Sequence, residues 1–293
     1  MVEGYRLAEE LDEEELVIGW TFLISESVID QSPREALPQL DRIIEIARKS
    51  YYEDIEAHAI AMKAMTYARL GEFAQAREAL QVAEELVEKI DSPVKVADVH
   101  SAAAFMYYDM GEVQKGVQYS LLAAKAAREV GGYECSIFGQ FSAGLGYLEE
   151  GASEAAAAAF EDAAQRAESS RIGSEWLKNR IRSGLAMARA RLGAPSAVQE
   201  MEQCLVRTRG FEDDYAAALL SRSLGESYTQ MGDLERAQQY LDSALDYYRR
   251  NGMRPYLSRI LESIAVVWNR QGKTAEAEEA RAEAARVRAE LFA

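Results

Sequence analysis

The sequence predicts an all-α solenoid of seven antiparallel helix pairs, and three observations carry that prediction. A glycine recurs at Gly71, Gly111, Gly151, Gly193, Gly232 and Gly272, at intervals of 40, 40, 42, 39 and 40 residues. Self-similarity at a fixed period of this length marks a repeat array, in which each unit buries its apolar face against its neighbours. Each glycine also keeps the same local setting, usually with an aromatic residue four positions earlier and an alanine five positions later. The third observation is composition. Alanine, leucine, glutamate and arginine abound, prolines number only five, and no stretch alternates β-branched with polar residues as a strand does.

The segment 58–90 shows how one unit is built. His58 to Leu70 carries Ile60, Ala64 and Tyr67 at helical spacing. Gly71-Glu72 then ends the helix, because glycine accepts the positive φ of a helix C-terminus. A second helix from Phe73 to about Ile90 puts Ala76, Leu80, Ala83 and Leu86 on one face. Small residues at Ala64, Ala76 and Ala83 let the two helices cross closely, and Tyr67 fills the space beside them.

The same sequence pattern returns in later units, for example as Leu224-Gly225, Tyr228, Gly232, Ala237, Leu241 and Ala244. In the fifth unit, Ala186, Ala197, Met201 and Cys204 follow it once the turn after Gly193 is shortened by one residue. The repeats span about 53–90, 94–130, 134–170, 175–209, 213–250 and 255–291, within a single array over 1–293.

The first unit, about 12–50, is degenerate. Leu16 to Ile29 is an expected helix, Gln31 stands where the turn glycine is missing, and Ser32-Pro33-Arg34-Glu35 is an expected capping box with proline at the first helical position. Pro38 is expected to kink or delay the helix that follows. A last helix, about Thr274 to Leu291, alternates alanine with charge and caps the other end.

These residues resemble the tetratricopeptide repeat family: a small residue and a tyrosine in helix A, a turn glycine, then two alanines in helix B. The period near 40 exceeds the family's usual length of about 34. It is similar to the long-helix variety found in kinesin light chain, cell-polarity scaffolds, bacterial maltose-regulon-type activators and peptide-pheromone receptors. The resemblance implies a right-handed superhelix that binds a partner segment in a groove lined by the A helices.

Composition narrows the function classes. The formal net charge of −16 argues against nucleic-acid binding, which needs a concentrated basic face. The charge is uneven, with 28 acids and 13 bases in residues 1–150 against 21 and 20 in residues 151–293. An acidic first half can orient a partner, and it also serves as an ordinary solubilising surface. The acidic residues 1–15 lack the basic start and apolar stretch of a signal peptide, and no apolar run approaches the roughly 18 residues of a membrane span. Cys135 and Cys204 fit no metal or disulfide spacing, so the expected compartment is the reducing cytoplasm.

No pattern predicts catalysis, a cofactor or a metal site. His58 and His100 stand in neighbouring units without ligand spacing, and read as ordinary helix-face residues. The glycines between Gly139 and Gly144 lack the lysine and hydroxyl of a phosphate loop and fall inside a helix. Cys204 takes a buried packing position, and Cys135 is assigned to an inter-repeat turn. Tyr67, Tyr107, Tyr147 and Tyr228 recur at one repeat position as core fillers.

The functional expectation rests on the concave groove. Projecting the family's groove positions gives an apolar part, Met62, Met65, Phe105, Tyr108, Phe138, Phe141, Leu145 and Leu148, and a later basic part, Arg180, Arg191, Arg222, Arg259 and Arg270. The apolar stripe reads either as an exposed peptide groove or as packing between units. The co-chaperone clamp of lysine and asparagine is missing at the equivalent positions, which disfavours chaperone-tail binding. The expected function is a non-catalytic scaffold binding another protein or peptide segment, with basic flanks suiting the acidic half, self-association left open and no nucleic-acid or membrane partner. The alternative is a ligand-sensing regulator of a kinase, cyclase or transcription factor.

Overall fold

The computed structural model describes residues 32–90, 92–170 and 174–292, together with Gly19 and Ile29. Thirteen helices occur among the described residues: α1 (Pro33–Lys49), α2 (Glu53–Leu70), α3 (Phe73–Val87), α4 (Pro93–Asp109), α5 (Val113–Glu129), α6 (Tyr133–Glu149), α7 (Ser153–Ser170), α8 (Glu175–Arg191), α9 (Ala197–Gly210), α10 (Asp214–Met231), α11 (Leu234–Arg250), α12 (Arg254–Arg270) and α13 (Thr274–Leu291). No strand occurs among these residues, and the molecule is an all-α solenoid. The helix expected over Leu16 to Ile29, and Gln31 after it, lie outside the described residues apart from Gly19 and Ile29, which are helical.

The turn glycines do what their spacing implied. Gly71, Gly111, Gly151, Gly193, Gly232 and Gly272 all have φ between 77° and 83°. In each turn the residue after the glycine donates its N–H to the carbonyl of the residue four before the glycine, as Glu72 does to Tyr67 at 2.8 Å and Lys273 to Trp268 at 2.9 Å. That bond satisfies a carbonyl the helix end leaves open, and it needs the left-handed conformation at the glycine. Small residues then let helices meet. Ala64, Ala76 and Ala83 have no exposed surface. The buried Phe160 ring is clasped between Gly144 and Gly184, where an added Cβ would stand 2.6 and 2.4 Å from it.

Some local expectations need correction. Ser32 makes no side-chain cap on α1, although Pro33 does occupy its first turn. Pro38 lies inside α1 without ending it. Both Arg34, whose carbonyl loses its partner at Pro38, and Pro38 itself are exposed, so water can satisfy the freed group. The second helix of the specimen unit ends at Val87 rather than near Ile90. Cys135 is not in a turn but in the first turn of α6, half-buried. Of the recurring tyrosines, only Tyr228 is fully buried; Tyr67, Tyr107 and Tyr147 are half-buried. Tyr107 stacks on Tyr119 with ring centres 5.3 Å apart, and Tyr228 on Tyr240 at 5.7 Å.

The arrangement of layers positions the site. Each of α2, α4, α6, α8, α10 and α12 packs beside the next, and α12 in turn packs back on α2. Six inner helices therefore form a closed wall, and the odd-numbered helices α3 to α13 lie against it. The closure is reinforced at the rim, where Leu291 abuts Gly71 and the Phe292 ring lies 5.5 Å from Phe73. Leu291 and Phe73 are buried there, which removes apolar surface from water and favours the closed seam, while Phe292 stays largely exposed.

Candidate functional site

Inside the wall, α2, α4, α6, α8 and the segment joining α9 to α10 line an open cavity of about 740 Å³. Its apolar lining includes Met62, Met65, Phe105 and Phe138 from the inner helices, with Ile29, Trp176 and Phe211 beside them. The inner helices present these side chains because their small residues face the outer helices, leaving the bulky ones for the interior. A file of rings runs from the cavity into the core: Phe105 to Phe138 at 5.8 Å, Phe138 to Phe141 at 5.9 Å, Phe141 to Phe160 at 5.8 Å.

The charged lining is already organised. Arg180 donates from Nε and Nη2 to both oxygens of Asp213, each at 2.7 Å, and its guanidinium lies 4.4 Å from the centre of the Trp176 ring. Burial pushes the Asp213 carboxyl up, but this two-point pairing outweighs it and holds its pKa below the ordinary value. Asp213 also caps α10 by accepting from the Ala216 N–H at 3.2 Å. Arg69 pairs with Asp109 at 3.5 Å and lies over the Tyr215 ring at 4.5 Å. His58 stands 3.9 Å from Asp98, and burial lowers its pKa despite that carboxylate. Burial raises the Cys135 thiol, as does the nearby Asp98.

A second polar cluster sits deeper in the ring, around a smaller space of about 40 Å³. Glu149 accepts a hydrogen bond from Arg222 and lies 3.7 Å from Arg259. Glu226 pairs with Arg191 at 3.7 Å and with Arg222 at 3.6 Å. Burial opposes ionisation of Glu149, yet the guanidiniums of Arg222 and Arg259 hold its pKa down at about 2.

The sequence-predicted groove residues divide accordingly. Met62, Met65, Phe105, Phe138 and Arg180 are brought together around the large cavity. Tyr108, Phe141 and Leu148 are packed into the core, with 5%, 3% and 4% of their surfaces exposed, and none of them reaches the large cavity. The physical reason is the closed wall: helices packed on both sides bury positions that an open superhelix leaves facing its groove. Leu145 is half-buried and lines the smaller space.

The late arginines do not form an open basic face either. Arg191, Arg222 and Arg259 are held by Glu149 and Glu226, and exposed Arg270 donates to the Thr229 carbonyl at 2.6 Å. Projection missed Arg69, Asp98, Trp176 and the segment Phe211–Asp214, all of which line the cavity. The aromatic and charged residues at the start of α8 and α10 were the available signal.

Among the described residues no helix is long and apolar enough to cross a membrane, and no three His, Cys, Asp or Glu side chains group so as to hold a metal ion. Residues 214–290 match the family model of the tetratricopeptide repeat. Those two helix pairs, α10 to α13, carry tetratricopeptide repeats. No curated protein matches it by sequence. Solved structures of the same fold include a Rap protein complexed with competence and sporulation factor, with a TM-score of 0.67 at 12% identity over 94% of this chain and 77% of that one. NprR in complex with its cognate peptide NprX gives 0.66 at 15% identity, over 94% and 82%. The Rap conjugation gene regulator of plasmid pLS20, in complex with the Phr* peptide, gives 0.60 at 16% identity, over 84% and 77%. At these identities the likeness is one of fold.

Proposed function

We propose that this tetratricopeptide repeat protein is a non-catalytic binding protein that takes up a segment of another protein, or a short peptide, inside its ring of inner helices. The observation that carries this reading is the cavity of about 740 Å³ bounded by Met62, Met65, Phe105 and Phe138. A concave, mainly apolar space with a few fixed polar groups is the ordinary form of a ligand site. Methionines and phenylalanines suit a surface that adapts to its occupant. Two of the similarly folded proteins are captured with peptides, which supports the same use of the fold here. The acidic half of the chain favours a partner segment with basic flanks, bound more weakly as salt rises.

The test is a screen of fluorescent peptides against the purified chain, repeated with Phe138→Ala and Met65→Ala. Binding by the parent that both variants weaken, with their melting temperatures held within a few degrees, supports the site. Binding unchanged by either variant moves it elsewhere.

A second reading, a ligand-sensing regulator, is favoured by one observation. Arg69 lines the cavity and pairs with Asp109, and Asp109 in turn accepts a hydrogen bond from Tyr256 of α12. The site therefore touches the seam that closes the ring. A ligand that binds the open and closed arrangements differently shifts the balance between them. Ligand-dependent change in small-angle scattering, absent from Tyr256→Phe, is the expected outcome.

A further inference from the structure

We propose that the large cavity is built for an amphipathic cation: a guanidinium or ammonium group on an apolar stem, set among carboxylates beside aromatic rings. This rests on the binding role proposed above and adds the chemistry of the occupant.

Among the described residues, five carboxylates line the cavity, Asp98, Glu134, Glu212, Asp213 and Asp214, against two guanidiniums, Arg69 and Arg180. Both guanidiniums are already matched, Arg69 by Asp109 and Arg180 by Asp213. Asp98 has Lys95 at 3.7 Å. No ion pair engages Glu134, Glu212 or Asp214 among the described residues. The uncompensated charge of the lining is therefore negative, and low-dielectric walls concentrate the field of such a cleft. His58 does not offset it near neutral pH, because burial lowers its pKa.

The apolar half selects the rest of the ligand. Phe138 is half-buried and Phe211 is 42% exposed, so both keep surface to offer a stem or the face of a cation. Met62 and Met65 add deformable apolar surface beside them. Glu134, Glu212 and Asp214 are exposed at the rim, so an anionic ligand is repelled there and an apolar one finds no counter-charge for them.

Two sources can supply the group, a basic side chain of a peptide or a free organic cation, and the experiment separates them. Fluorescein-labelled hexapeptides of apolar sequence, identical except for arginine, norleucine or glutamate at the third position, are titrated into the full-length chain. Octylguanidine is the free cation, used as a competitor and alone. Protection of Cys135 from a maleimide reports occupancy independently, since Cys135 lines the cavity while Cys204 is buried.

The arginine peptide is expected to bind about tenfold or more tightly than the norleucine peptide, the worth of one partly desolvated charge pair. It should also protect Cys135. The double variant Glu212→Gln, Asp214→Asn should abolish that preference while leaving norleucine binding within about twofold, as a change confined to charge requires. The glutamate peptide should bind weakest. Equal binding of arginine and norleucine peptides overturns the cation proposal but leaves the peptide-binding role standing. Binding and Cys135 protection by octylguanidine alone support the cation site and remove the peptide. If neither the peptides nor octylguanidine bind the parent chain, both proposals fall. A variant melting temperature far below the parent's would be answered by the single change Glu134→Gln, at an exposed position, which must then lower arginine-peptide affinity selectively or overturn the proposal.

Discussion

The hydroxyl of Tyr256 donates a hydrogen bond to Asp109, 147 residues earlier in the chain, and so joins α12 to α4 across the interior of the ring. The same hydroxyl meets that of Tyr215 at 2.7 Å, and Arg259, one turn along α12, donates to the Tyr108 carbonyl at 2.9 Å. Because Asp109 is buried and also pairs with Arg69, losing it takes a carboxylate away from a buried guanidinium. Asp109→Ala is therefore expected to destabilise the chain by about 3–5 kcal/mol, the cost of breaking a buried ion pair. Tyr256→Phe removes the hydrogen bond to this charged acceptor and the one shared with Tyr215, and should cost about 1.5–3 kcal/mol. Urea unfolding monitored by circular dichroism measures both, and equal losses would contradict this ordering.

Phe138 and Phe141 should behave differently although they are neighbours in one helix. Phe141 is 3% exposed and packs on Phe160, so Phe141→Ala should lose about 3–5 kcal/mol as a core truncation. Phe138→Ala removes a half-buried ring from the cavity wall and should cost visibly less. Thermal melts of the two variants side by side settle the order; similar drops would return Phe138 to the core.

The helix glycines are demanding where rings or branched side chains press on them. At Gly184 a Cβ would stand 2.4 Å from Phe160, and Gly144 blocks the ring from moving the other way. Gly184→Ala is expected to cost about 1–3 kcal/mol, and Gly225→Leu, whose Cβ would meet the Leu241 Cγ at 2.5 Å, at least as much. At Gly111 nothing lies within 4 Å and only the left-handed φ of 79° resists a side chain. Gly111→Ala should lose only about 1 kcal/mol. Equilibrium unfolding of the three variants tests the ranking.

Acid should loosen the inner cluster. Glu149 has a folded pKa of about 2, below that of an ordinary carboxyl in the unfolded chain. A depressed pKa means that its contribution is complete above the unfolded value and is lost as pH falls towards 2. Its side chain is a quarter exposed, so the contribution is on the order of 2 kcal/mol after allowing for screening. Stability of the parent should fall between about pH 4.5 and 2 more steeply than that of Glu149→Gln. Parallel slopes for the two proteins would remove Glu149 from the acid response.

Much of the fold is legible along the chain because the repeat is local. A glycine with positive φ, a carbonyl four residues before it and alanines at the crossing points act within about 20 residues, where periodicity reports them. Gly71, Ala76 and Ala83 each occupy the place their spacing implied. Met62, Met65, Phe105, Phe138 and Arg180 also reached the cavity from groove projection alone. What only the tertiary structure decided is whether the superhelix stays open. Each unit adds a small rotation to the last, and their sum brings α12 back to α2 without leaving a mark in any one repeat. That closure turns Tyr108, Phe141 and Leu148 into core, spends Arg222 and Arg259 on Glu149, and makes partners of Asp109 and Tyr256. Burial and pairing between distant units depend on that sum, whereas the helices themselves depend only on their own residues and nearest neighbours.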